Sequence, residues 1–78
     1  MEPTGNLRTM ADEVVGRVGR LTGTVGPGRV GEVLVEVRGG TERFHAYPAD
    51  GTSTIAKGAR VIVTGSRSGR SVDVAPFA

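Results

Sequence analysis

At 78 residues, with a net charge of +2 and no cysteine, the chain has room for one small domain and for neither a disulfide nor a thiolate metal site. Thirteen glycines and three aromatics suit a small twisted barrel better than a helical bundle. Opposite charges are interspersed and no apolar run approaches the ~18 residues of a membrane span, so the chain reads as soluble, unexported and cytoplasmic.

Residues 1–13 form a polar leader. Leu7, Met10, Ala11 and Val14 fall at i, i+3, i+4 and i+7, and Asn6 is placed to cap a short helix. Two isolated turns are marginal in water, because nucleation costs more than so few bonds return. The leader is therefore expected to be flexible or short-helical, and the domain proper to span residues 14–78.

Val14 to Val25 reads as a long first strand. Its apolar residues do not keep a strict period of two, and Gly16, Gly19 and Gly23 point to a bulge or sharp coil within it. A strand bent in this way can pair with two neighbours and close a small barrel. Gly26-Pro27-Gly28 is a turn, since Pro27 fixes φ and cannot donate to a ladder.

The stretch from Val30 to Ala46 carries the clearest signal. Val33, Val35 and Val37 recur at a spacing of two, with Glu32, Glu36 and Arg38 between them, as in a strand with one buried and one wet face. Leu34 interrupts the polar set. Gly39-Gly40 supplies a tight reversal, and Glu42 to Ala46 resumes as a second strand. After a polar loop with the turn signal Asp50-Gly51, Ile55, Val61 and Val63 read as inward residues. Gly65 to Ser71 is a loop of turn formers, and Val72 and Val74 make a last strand ended by Pro76. The expectation is an all-β, five-stranded OB-like barrel with four hairpin-like connections. Its core is drawn from Val33, Val35, Val37, Phe44, Val61, Val63, Val72 and Val74.

The order of these features resembles one family. A coiled strand with Gly-x-Val-Gly precedes Pro-Gly, then Gly-x-Val-x-Val and Glu-Arg-Phe-x-Ala. Asp-Gly, Ile-x-Lys-Gly-x-x-Val-x-Val and Val-x-Val-x-Pro follow. From about Val14 to Phe77 the chain is similar to the C-terminal soluble domain of NfeD-like proteins, an OB-type barrel. The resemblance implies a bacterial protein-interaction module working with stomatin- or flotillin-like membrane scaffold proteins. Family members are mostly anchored by an N-terminal hydrophobic region, and long forms add a serine-protease domain. Neither is written in this sequence, and Met1 reads as the start of a stand-alone barrel.

His45 is the single histidine. A catalytic base needs a nucleophile and an orienting acid, and a metal needs several ligands. Asp50 and Ser53 are near in sequence but lack a nucleophile elbow. If Phe44 and Ala46 point inward, His45 and Tyr47 point outward. Together with Arg38 and Arg43 they would form an exposed face on the second and third strands, where OB-folds commonly stack single-stranded bases over positive charge. Glu32 and Glu36 put negative charge on the same sheet. Arg67 and Arg70 read as the solvated tip of a hairpin, because a strand rather than a helix follows them. No enzyme activity, cofactor or metal is expected. A protein-interaction module is the leading reading, and a single-strand nucleic-acid binder using Arg38, Arg43, His45 and Tyr47 is the alternative.

Overall fold

A computed structural model of the chain describes residues 11–37, 39–67 and 69–77. Arg38 and the Leu7 and Met10 positions of the leader lie outside the described residues. Five strands follow a 3-10 turn at Ala11–Val14: β1 (Val18–Gly23), β2 (Gly31–Val37), β3 (Gly40–Pro48), β4 (Arg60–Arg67) and β5 (Ser71–Pro76). They close into a barrel in the order β1-β2-β3-β5-β4, with β1 paired to both β2 and β4. This is the OB-like arrangement expected from the bent first strand.

The closure depends on two bulges of the same design. In β1 the register against β2 shifts between Leu21 and Gly23, and in β4 the register against β5 shifts between Val63 and Gly65. The extra residue is a threonine each time. Thr22 Oγ1 donates to Glu32 Oε1 at 2.7 Å, with the Glu32 carbonyl 3.4 Å away, and Thr64 Oγ1 donates to the Asp73 carbonyl at 3.3 Å. Each bulge adds local twist to its strand, and the threonine bonds back to the partner strand.

The central hairpin follows the period-two pattern. Val33 pairs with Phe44 and Gly31 with Ala46, and the turn is made at positive φ by Gly39 and Gly40. Val33, Val35, Phe44, Val61, Val63, Val72 and Val74 are buried in one core, joined by Leu21, Val25, Ala46 and Ile55. Val37 is a correction to the expected list: it sits at the end of β2 and is only partly buried against that core. The turn Ala11–Val14 brings Ala11 and Val14 into the core as well, beside β4 and β5.

The connection between β3 and β4 is a second correction, because it is not a hairpin. β3 pairs in parallel with β5, placing Ala46 beside Val72 and Tyr47 beside Asp73. The intervening segment crosses to the stretch that follows β1, where Val25 and Ile55 exchange backbone hydrogen bonds of 3.0 and 2.8 Å. A parallel neighbour cannot be reached by a tight turn, so the crossing loop is a requirement of the topology.

Candidate functional site

The alternation of β3 places Arg43, His45 and Tyr47 on the outside of the barrel, on the face they share with Glu32 of β2 and Asp73 of β5. Among the described residues, Arg43, Arg67 and Arg70 each have a carboxylate. Arg43 Nε lies 3.4 Å from Glu32 Oε2, and Arg67 Nε donates to Asp73 Oδ1 at 2.8 Å. Arg70 bonds Glu42 Oε1 and the Arg43 carbonyl, both at 2.7 Å, while its guanidinium covers the Phe44 ring at 4.6 Å. That contact lids the buried aromatic at one end of the barrel.

Tyr47 is no open stacking platform, because the Arg67 guanidinium lies 4.0 Å from its ring centroid. A base stacking on that side would have to displace a cation already paired with Asp73. His45 sits opposite Glu32 and beside Ser71, with an exposed side chain. Among the described residues its imidazole makes no hydrogen bond, and its backbone N–H donates to the Arg70 carbonyl at 2.8 Å.

The loop after β3 is organised by Asp50. Its Oδ1 accepts from the Thr52 and Ser53 amides at 2.9 and 2.8 Å, and its Oδ2 accepts from the Ser53 hydroxyl. The Ser53 hydroxyl bond, helped by the two amides, lowers the Asp50 pKa to about 2. The serine thus donates to a carboxylate rather than to a base, and the arrangement shapes a turn. Among the described residues, no group of three or more His, Cys, Asp or Glu side chains could hold a metal ion.

A different face was not legible from the spacing of residues. On the outside of β4, β1 and β2, Val18 pairs with Ile62, Arg20 with Leu34 on one side and with Arg60 on the other, and Ile62 with Ala75 of β5. Val18, Leu34, Ile62 and Ala75 are half-exposed and Phe77 is 41% exposed. Val18, Gly19, Arg20, Leu34, Glu36 and Arg60 line a shallow open depression of about 430 Å³. Arg17 and Arg20 reach only the backbone carbonyls of Glu36 and Gly58, at 3.4 and 3.5 Å, and Arg60 lies 5.4 Å from the Phe77 ring centroid. Among the described residues none of these three arginines is bridged to a carboxylate. One face of the barrel is neutralised by its own carboxylates, and the other carries cations around apolar side chains.

The family model for the NfeD C-terminal domain matches residues 18–75, from the first residue of β1 into β5. The solution structure of the soluble domain of the NfeD protein YuaF from Bacillus subtilis is similar to this chain. The two are 30% identical with a TM-score of 0.70, over 85% of this chain and 76% of that one. No curated protein matches the chain.

Proposed function

The chain belongs to the NfeD C-terminal domain family, and from that premise we propose that it is a non-catalytic protein-interaction module acting on the cytoplasmic side with stomatin- or flotillin-like membrane scaffold proteins. The observation that carries this reading is the half-exposed apolar strip of Val18, Leu34 and Ile62 on the outside of a closed barrel. Those side chains could have been polar without cost to the core, whose residues are separate and already buried. An apolar strip rimmed by charge is the kind of surface a partner covers.

No helix among the described residues is long and apolar enough to cross a membrane. The β2–β3 face supports the nucleic-acid reading less well, because Arg43 and Arg67 are already bridged to Glu32 and Asp73. The test is affinity capture with the tagged chain from detergent-solubilised cells, followed by mass spectrometry. A stomatin- or flotillin-like protein enriched over a tag-only control is expected. Recovery of no membrane scaffold protein above background would count against the reading.

A further inference from the structure

Arg20 and Arg60 are direct cross-strand partners on β1 and β4. Such a pair has its Cβ atoms about 5 Å apart, and like charges placed this way are unfavourable unless something offsets them. Among the described residues neither is bridged to a carboxylate. Arg20 reaches the Gly58 carbonyl only at the outer limit of a hydrogen bond, and Arg60 leans toward Phe77. Arg17 lies beyond Val18, at the other end of the strip, where it reaches the Glu36 carbonyl, and Glu36 is the one carboxylate lining the depression. Elsewhere among the described residues Arg43, Arg67 and Arg70 have acidic partners, while Arg29 and Lys57 stand in loops without a carboxylate bridge and not as cross-strand partners. A local arrangement that breaks a sheet-pairing rule, beside a depression floored by Val18 and Leu34, marks a surface shaped for something outside the chain.

We propose that the outer face of β4, β1 and β2 is a docking surface for an acidic amphipathic segment of a protein partner, whose carboxylates bridge Arg20 and Arg60 while its apolar side chains fill the depression beside Val18 and Leu34. This rests on the reading of the domain as an interaction module and specifies the chemistry of its partner. Because the barrel is closed, the partner does not add a strand to a sheet edge; it lies across the face and is held by side chains. The apolar floor favours a peptide over a nucleic-acid backbone, which has nothing apolar to place there. Glu36 inside the rim disfavours a sheet of anionic lipid headgroups but leaves room for a segment carrying one basic residue.

The test uses the full chain, labelled with nitrogen-15, titrated with three probes. They are an 18-residue peptide with leucine at helical spacing and glutamate elsewhere, its counterpart with lysine for glutamate, and vesicles containing phosphatidylserine. The glutamate peptide should shift the amides of Val18, Arg20, Leu34, Arg60 and Ile62 and leave His45 and Tyr47 in place. Arg20→Glu/Arg60→Glu should weaken it by at least about tenfold, since like charges would then face each other across the contact. Arg20→Gln, which removes one charge without reversing it, should weaken it less and guards against a misfolded double variant. No shift with the glutamate peptide would overturn the proposal. So would equal binding of the lysine peptide, shifts confined to the His45 face, or a response to vesicles alone. Capture of a scaffold protein by a chain whose face ignores the peptide would overturn this inference and leave the module reading standing. Peptide binding here with no scaffold captured would support the surface and count against that partner.

Discussion

Gly19→Ala should destabilise the barrel by closing space that β1 and β2 need. A Cβ at Gly19 would lie 2.6 Å from the Leu34 carbonyl oxygen, 2.7 Å from Val33 Cγ2 and 3.1 Å from Val35 Cγ2. Val33 and Val35 are fully buried, so their methyls have nowhere to turn, and the Leu34 carbonyl is fixed in the chain of β2 beside Arg20. Relief therefore requires β1 to move away from β2. Overpacking of this kind costs about 1–3 kcal/mol, while removing a glycine from the unfolded chain returns roughly 0.4–1 kcal/mol. With contacts this short on backbone and core, the cost belongs at the top of its range, leaving a net loss of about 2 kcal/mol. For a domain of this size that lowers the melting temperature by about 10 °C. Gly23→Ala is the control on the same strand, because its Cβ would meet nothing nearer than the Glu32 nitrogen at 3.8 Å and its φ is not in the left-handed region. It should melt within a few degrees of the parent. Thermal unfolding followed by circular dichroism decides the matter. A Gly19→Ala variant melting at or above the parent would refute the close approach of the two strands.

Val35→Asp places a carboxylate where the parent side chain is fully buried, and should cost several kcal/mol, leaving a domain of about 5 kcal/mol stability largely unfolded. Glu36→Lys, one residue along and exposed, should leave the melting temperature almost unchanged, and equal melts for the two would mean the register of β2 is wrong. Arg70→Ala should cost about 1 kcal/mol through loss of the cover over Phe44 and the bridge to Glu42, read as a melting temperature a few degrees lower. The Asp50 contribution is pH-dependent in one direction. Its folded pKa, about 2, lies below the ordinary carboxylate value, so the stabilisation is present at neutral pH and is lost as pH falls from near that ordinary value through about 2. Asp50→Ala should therefore melt below the parent at pH 7 and converge with it toward pH 2. Parallel curves across that window would show that the Asp50 hydrogen bonds contribute nothing.

Much of the barrel was legible because period-two alternation reports local burial. Val33, Val35, Phe44, Val61, Val63, Val72 and Val74 were each placed inside by their own strand's pattern, and all are buried. Val37 was misplaced because alternation cannot say where a strand runs off the core. The parallel pairing of β3 with β5 was invisible for a related reason: the Asp50-Gly51 turn signal describes its own residues, and the crossing is set by Val25 and Ile55 meeting at a distance in sequence. Strand parity turned Arg43, His45 and Tyr47 outward. It carried no hint that Asp73 would hold Arg67 over Tyr47, since those residues come from three different strands. Arg20 and Arg60 likewise become neighbours only when the barrel closes. Leu34, which interrupted the polar set in its strand, was one local signal of the apolar face, as were Ile62 between the inward Val61 and Val63 and Val18 off the parity of Leu21 and Val25.

Site-specific photo-crosslinking in cells tests the central claim most directly. A benzophenone amino acid is placed at Leu34 on the β4–β1–β2 face in one variant and at His45 on the β3 face in another, and the adducts are identified by mass spectrometry. The Leu34 probe should yield an adduct with a membrane scaffold protein through an acidic segment, and the His45 probe should yield none. An adduct from His45 with none from Leu34, or no protein adduct from either position, would contradict the assignment of this face as the interaction surface.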